Sequence, residues 1–501
     1  MSTIRTDHIV QNGKNERSHT PSSVAQHRDL ISELHNGHRD WFLDAGAELE
    51  LKAGNVVIQE GSTVEAFYFL IEGLLKVHQA DQPDKNIAMI APGQLIGEMS
   101  FIEQVPASVS VSVVERAMLL EIPFSKVAKK MEEDMAFRAT FQKALLGVLS
   151  SRLRATSGKL KSYLESDTIF DKQENASLLD AVDQFKKSMF KANEHEIKKE
   201  EEAFQQNAFQ VMATLSNLVD KMDETIGDFA SGKAHEKDAV GYKIQQELAP
   251  YVLMSNMLKR SYIKPRGYAG DYLTIAQMYD NKPIGNGKTG ELLDRITLQN
   301  DACMAVKNRR GLLAKEIFKS VNNNEGAATH ITSFACGPAQ ELFDVYGHIK
   351  NPEVLNSHLI DIDLKALAFV TDKLEKQPTK LKMNLHHANL IYLALGRRQL
   401  NLPPQDLVYS IGLIDYFNDQ LVVKLINYAH KLLKPGGRLI LGNFHSKNKL
   451  KAFMDYVLDW RLIHRTEADM DRLFEASDFG KPCTDIQFEK TGINMFVTCV
   501  K

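Results

Sequence analysis

The sequence has no apolar run near the 18 or so residues that crossing a bilayer requires, so no segment is expected to span a membrane. The N-terminal stretch MSTIRTDHIVQNGKNERSHTP lacks both an apolar core and a cleavage site, so no secretory signal is expected. Cysteine is scarce. Cys303, Cys336, Cys483 and Cys499 stand apart with no CxxC pair, which argues against a metal site and against a disulfide framework. A cytoplasmic protein with reduced thiols is the simplest expectation. Positive charge is not in surplus either. The 61 Lys and Arg against 64 Asp and Glu give a formal net charge of −3, without the basic footprint of a nucleic-acid partner. What is present is a globular mixture, 44% hydrophobic and 25% charged, in a chain of 501 residues that is too long for one core.

The pattern divides the chain into five parts. Residues 1–40 are polar and read as a flexible segment, with His8, His19, His27, His35 and His38 irregularly spaced and solvated. Residues 41–128 show short alternating strands broken by Gly54, Gly61 and Gly73, the pattern of a small β-barrel. In SVSVSVV, Val109, Val111 and Val113 fall on one face. Residues 129–235 read as helices forming a linker or dimerisation region. Here Met212, Leu215, Val219, Met222 and Ile226 form a stripe for either an internal core or a homodimer seam. Residues 236–325 read as a helical cap interrupted at KPRGYAGDY, and residues 326–501 alternate strands with helices, predicting a mostly parallel α/β sheet. The final stretch predicts two strands joined at Gly492.

In a doubly wound sheet, ligands sit at the C-terminal strand ends near the point where strand order reverses. Chemistry gathers at those ends. In SFACGPAQE, small residues at Ala335, Gly337 and Ala339, with Pro338 between, allow a tight turn whose amides meet a ligand. In LIDID, Asp361 is placed to accept from ribose hydroxyls, with Ile362 beside it and Asp363 as the alternative. Asn389, followed by Leu390, carries a donor and an acceptor suited to an adenine edge. DLVYSIGLIDYF places Tyr409, Ser410 and Gly412 beside the reacting centre, and a Pro-Gly-Gly turn follows in LLKPGGRLILGNF.

These elements, in this order, resemble the class I Rossmann-like methyltransferases, with the usual GxGxG replaced by Ala335-Cys336-Gly337-Pro338-Ala339. The resemblance implies S-adenosyl-L-methionine as cofactor. An NAD-binding domain is the alternative, and the two alanines count against it because a pyrophosphate must lie against the backbone. Arg266, Tyr268 and Asp271 of the RGYAGD turn read as a lid, or as a tight turn closed by an Arg–Asp pair. This turn and DYVLDWRLIHRT (455–466) resemble proteins of extracellular factor 3-hydroxypalmitic acid methyl ester biosynthesis. That resemblance implies methylation of a small-molecule acceptor, a fatty-acid carboxylate among them. Such an acceptor is ionised at neutral pH and needs a clamp, for which Arg266, His445 and Arg465 are candidates. An amine or phenol would need a base, from His445 or Tyr416. Trp460 reads as a core residue or as part of an acyl pocket.

GEMSFIEQVPASVSV (97–111) resembles the phosphate-binding cassette of cyclic nucleotide-binding domains, implying ligand contacts from Gly97, Glu98 and Ser108. The family's phosphate-pairing Arg falls on Ala107, so another effector, or a role in docking and dimerisation, stays open beside a cyclic nucleotide. No helix-turn-helix is evident after the barrel, which argues against a transcription factor. The expectation is therefore a multidomain enzyme with a regulatory or degenerate sensor; the alternative is a non-catalytic signalling adaptor.

Overall fold

The structure is a computed structural model that describes residues 34, 36–83, 87–146, 149, 173–227, 234–378 and 380–501. Most of the polar N-terminal segment, including His8, His19, His27 and His35, lies outside the described residues. His38 lies within them, on the helix Asn36–Ala45, bonded to the Thr140 hydroxyl at 2.6 Å.

The N-terminal sheet is built on two long antiparallel strands, β3 (Ala66–His78) and β6 (Ser110–Pro123), paired from Ala66↔Pro123 to His78↔Ser110. The short strands β1 (Ala47–Leu51) and β2 (Val56–Ile58) pair with β6, and β4 (Ala88–Ile90) and β5 (Leu95–Ile96) with β3. The β3–β6 ladder slips in register around Glu72 and Leu74. Gly73 makes this bulge at φ +98, where an added Cβ would lie 2.4 Å from the Arg116 carbonyl oxygen. Val111 and Val113 are buried, but so are Ser110 and Ser112 between them, and Val109 is half-buried, so this stretch is covered on both faces rather than on one. A second apolar cluster, with Phe42, Phe67, Phe137 and Phe141, joins this sheet to its flanking helices.

Two long helices, Ala176–Lys198 and Glu201–Ile226, follow in the described middle region. The sequence stripe is corrected in detail. Met222 and Ile226 are buried, but Met212 is exposed, and the inward face runs through Phe204, Val211 and Leu218. Phe185 and Leu218 share one core with Ile244, Val306, Phe453 and Trp460. The expected boundary at 235 thus separates helices that pack as one body with the cap and with residues beyond 440.

The C-terminal sheet contains β7 (Thr329–Phe334), β8 (Leu355–Asp361), β9 (Met383–His387), β10 (Gln405–Ile411), β11 (Leu433–Phe444), β12 (Asp485–Phe488) and β13 (Asn494–Val500). Their order is β9-β8-β7-β10-β11-β13-β12. The pairings from β9 to β11 are parallel, while β13 is antiparallel to both neighbours. Strand β10 is buried through Gln405–Ser410, as expected of a parallel strand covered on both faces. Strand order reverses between β7 and β10, which makes their C-terminal ends the switch point.

Candidate active site

The tips of β7, β8, β9 and β10 open into one cavity of about 350 Å³. Ala335, Gly337, Pro338, Asp361, Ile362, Asn389, Leu390 and Gly412 all line it. The β7 turn takes positive φ at all three small positions: Ala335 at 51°, Gly337 at 51° and Ala339 at 48°. Left-handed backbone is where glycine is free and alanine is strained, so the turn keeps a glycine-like path despite its two alanines. The Gly337 amide donates to Asp361 Oδ2 and the Asp363 amide to Asp361 Oδ1, each at 2.9 Å. Burial pushes the Asp361 carboxyl up to about 6, although these two amides favour its ionised form.

Asp363 does different work. It caps the helix Leu364–Glu375 through Lys365, accepts from Arg266 Nε and Nη2 at 3.0 and 2.6 Å, and accepts from the Tyr268 hydroxyl at 2.9 Å. Its lone pairs are occupied. Asp361, two residues earlier, is the carboxylate that faces the cavity.

Residues from the cap and from the 440–465 region close the space above the strand tips. Tyr268, Ala269 and Gly270 line the cavity, as do Tyr416 and Trp460. Trp460 Nε1 donates to the Tyr416 hydroxyl at 3.0 Å, and that hydroxyl donates to the Ala269 carbonyl oxygen at 2.9 Å. Gly270, at φ +74, leaves room for this pair; an added Cβ would lie 2.8 Å from the Trp460 ring.

Seven expectations are corrected by geometry. His445 is buried away from the cavity lining with Nε2 bonded to Glu467 at 2.9 Å, so it is placed neither as clamp nor as base. Arg465 is locked on Asp419, Asn443 and the carbonyls of Ile414 and Phe417. Arg266 binds Asp363 and Glu115 through its whole guanidinium and does not line the cavity. Asp271 caps the helix Tyr272–Asp280 and pairs with Arg260 at 2.7 Å, so the internal Arg–Asp pair of RGYAGD does not form. Ser410 is buried and donates to the Phe334 carbonyl oxygen at 3.1 Å. Tyr409 lies beneath the cavity floor, with its hydroxyl on Glu341 at 2.9 Å. Asn389 does line the cavity, but its amide is engaged: Oδ1 caps the helix Leu390–Ala394, and Nδ2 donates to the Ile71 carbonyl oxygen at 2.7 Å.

That last bond reaches into the N-terminal sheet. Residues 48–134 match the family model of the cyclic nucleotide-binding domain. No curated protein matches the chain. Among solved structures, the chain is similar to a possible exported protein from Bordetella parapertussis, at 19% identity over 59% of this chain and 96% of that one, TM-score 0.41. It is also similar to magnesium protoporphyrin IX methyltransferase from Synechocystis PCC 6803 with bound SAM, at 14% identity over 49% and 95%, TM-score 0.33. A third similarity is to a putative cyclic nucleotide-binding protein from Geobacter metallireducens GS-15, at 16% identity over 25% and 91%, TM-score 0.22.

The cyclic nucleotide-binding domain supplies part of the cavity wall: Ala91 and Pro92, in the turn between β4 and β5, line it. It is fastened there by charge. Arg266 bridges Glu115 to Asp363, Glu72 meets His387 at 3.3 Å and Arg398 at 3.4 Å, and Arg398 also meets Glu48 at 3.1 Å. Tyr392 packs into the domain's aromatic cluster. Within the domain, Gly97 takes φ +91, with an added Cβ 2.6 Å from the Ala66 carbonyl oxygen. Glu98 is buried at the start of the helix Glu98–Glu103, whereas Ser108 is exposed.

Sequence reasoning overlooked Arg309. It is 4% exposed, lines the cavity, and its Nε has no hydrogen-bond partner. The signal was present. On the helix Asp301–Asn323 the buried positions Ala302, Val306, Leu313 and Ile317 keep helical spacing, and Arg309 occupies the stripe between them. A charge in an apolar stripe is the informative exception. Two buried carboxyls, Glu341 and Asp415, also line the cavity, and burial raises both, Asp415 to about 6.

Proposed function

We propose that the chain is an S-adenosyl-L-methionine-dependent methyltransferase acting on a small molecule with an apolar body, its cavity walled in part by the cyclic nucleotide-binding domain. The observation that carries this reading is the convergence of the left-handed β7 turn, Asp361 and Gly412 on one cavity at the switch point. The residues present fit the cofactor. The turn brings backbone close to a ligand without bulky side chains in the way, and Asp361 keeps lone pairs for ribose hydroxyls after accepting two amides. The antiparallel β13 inserted beside β11 departs from the 3-2-1-4-5-6 order of dinucleotide-binding domains, which weighs against the NAD alternative.

Bound S-adenosyl-L-methionine supplies an electrophilic methyl group. The chain's own contribution is to orient the partners and keep water out. The Tyr416–Trp460 pair and the turn at Tyr268–Gly270 form the cover. The helical cap adds apolar wall from Met257 and Val306, and the 440–465 region adds Phe453 and Leu458. No histidine or lysine among the described residues lines the cavity, and the Tyr416 hydroxyl is held far above its usual pKa by burial. An acceptor that is already ionised suits such a site. A carboxylate, with a usual pKa of about 4 to 5, needs no base. We therefore read the acceptor as a carboxylate on an acyl chain, as in a 3-hydroxy fatty acid, giving a methyl ester.

The test is titration calorimetry of the full chain with S-adenosylhomocysteine. Binding that Asp361→Ala weakens supports the reading; no binding overturns it. A second reading, a ligand-sensing adaptor, is favoured by the family match at 48–134. Thermal shifts separate the two. A ligand at a hundred times Kd stabilises by about 2.7 kcal/mol, so a shift with cyclic AMP or cyclic GMP and none with S-adenosylhomocysteine would favour the adaptor.

A further inference from the structure

We infer that Arg309 is an anion anchor inside the cavity, taking the carboxylate of a bound small molecule against Gly412. This rests on the methyl-transfer reading only for what the molecule is, not for the site itself.

A guanidinium that is 4% exposed has lost most of its water, and buried charges need partners. Arg309 Nε has none. Tyr279 lines the same cavity beside it, but its hydroxyl adds no charge. Glu341 and Asp415 lie close enough for Arg309 to hold their carboxyls down against burial, yet both remain above the usual range. The guanidinium is therefore incompletely satisfied by the protein. Its other paired arginine neighbour shows what satisfaction looks like: Arg310, next on the same helix, forks onto Asp344 at 2.5 and 2.7 Å.

Position gives the second argument. Gly412 follows β10 at φ +79, and an added Cβ there would lie 3.0 Å from Arg309 Nη1 and 3.2 Å from Nη2. The absent side chain leaves the fork open along the cavity at the switch point. One and two turns earlier on the same helix, Val306 and Ala302 begin the apolar part of the wall. An anion at Arg309 thus sits where the strand tips meet the apolar chamber. A planar fork prefers a carboxylate, held bidentately. That carboxylate has two sources in the proposed reaction: the amino-acid end of the cofactor, or the acid group of an apolar acceptor.

The experiment uses the full chain and two pairs of probes, each differing at the carboxylate: S-adenosylhomocysteine against its decarboxylated form, 5′-(3-aminopropylthio)-5′-deoxyadenosine, and decanoate against decanol. Binding is followed by calorimetry on wild type, Arg309→Met and Arg309→Lys, with folding checked by circular dichroism. Loss of a charge-assisted bond predicts roughly 10- to 100-fold weaker binding of the carboxylate-bearing probe to Arg309→Met. Arg309→Lys should recover only part of it, because an ammonium keeps the charge but not the fork. Weakening confined to S-adenosylhomocysteine assigns the anchor to the cofactor; weakening confined to decanoate assigns it to the acceptor. Unchanged affinity for both acids in the folded variants overturns the inference. Should neither variant fold, equal wild-type affinity within both probe pairs overturns it as well. Wild type that ignores S-adenosylhomocysteine but binds decanoate through Arg309 sinks the cofactor reading and leaves the anchor standing.

Discussion

Replacing Arg266 with methionine removes a cation that joins two parts of the chain while keeping most of its apolar stem. In the native arrangement Arg266 donates twice to Asp363 and twice to Glu115. The Asp363 side chain is 2% exposed and Glu115 18%. Without Arg266, Asp363 keeps only the Lys365 amide and the Tyr268 hydroxyl. Stranding one buried member of an ion pair costs about 3–5 kcal/mol, and partial solvent access at Glu115 places the expected loss near the low end, about 3 kcal/mol. Glu115→Gln should cost only about 1 kcal/mol, since its carboxylate is the better solvated partner. The double variant should lose less than the sum of the two, because both remove the same contact. The assay is urea unfolding followed by Trp460 fluorescence in a Trp41→Phe background, which reads the cavity cover alone. Were Arg266 instead a substrate clamp, Arg266→Met would lose decanoate binding with stability intact. A loss below about 0.5 kcal/mol, or additive costs, refutes the fastening role.

Three further outcomes follow from the same geometry. On the proposed reading an ionised Asp361 is the better acceptor for ribose hydroxyls, and its carboxyl sits at about 6, so S-adenosylhomocysteine affinity should rise as pH increases through 6 and then level off. Asp361→Asn should be weaker throughout and lack that rise, and a variant keeping the same pH profile would exclude Asp361. At Ala335, φ 51 tolerates glycine but strains a β-branched side chain, so Ala335→Val should destabilise by about 2 kcal/mol while Ala335→Gly stays near neutral in thermal unfolding. His358, beside His386 at 3.1 Å, is pushed by burial from its usual 6.5 to about 4. The unfolded chain takes up this proton at a pH where the folded chain refuses it. Its contribution to stability is therefore lost as pH falls from about 6.5 towards 4, by about 1 kcal/mol at pH 5.5. His358→Asn should flatten the fall in urea midpoint between pH 7 and 5.5, and an unchanged slope would rule His358 out.

What the sequence made legible follows from locality. The β7 turn and the Asp361 strand end lie in short, periodic stretches, and each sits at its expected strand end, whereas Pro435-Gly436-Gly437 makes an irregularity inside β11 rather than a turn before it. The turn at Gly492, φ +74, between β12 and β13 was equally legible. Side-chain direction was less legible. His445 and Ser410 are near strand ends in sequence, and Arg465 is bridged to His445, but their bonds turn all three into the fold. Arg309 was hidden by its neighbour: two arginines in a row read as solvated until helical spacing is counted. Ala91 and Pro92 could not be assigned to the cavity at all, because more than 170 residues separate them from Tyr268 and only docking brings them together.

The docking has a consequence for the site. Asp361 and Asp363 share one strand end, and the Asp363 amide is itself a ligand of Asp361. Asp363 is held by Arg266, whose other fork is held by Glu115 of the cyclic nucleotide-binding domain. Asn389, on the next strand tip, spends its amide donor on Ile71 of the same domain. Two neighbouring strand tips are therefore positioned by a domain that precedes them by some 300 residues. Any event that shifts β3 or β6 changes the seating of Asp363 and, through one peptide amide, the carboxylate facing the cavity. The wall residues Ala91 and Pro92 move with the same domain. On the proposed reading cofactor affinity and domain docking should be linked, and linkage runs both ways: S-adenosylhomocysteine should tighten the docking by the factor that docking tightens its binding. Glu115→Gln gives the test. It touches nothing in the cavity, yet it should weaken S-adenosylhomocysteine binding several-fold in calorimetry; equal affinity in that variant would show that the two ends of the chain are fastened but not coupled.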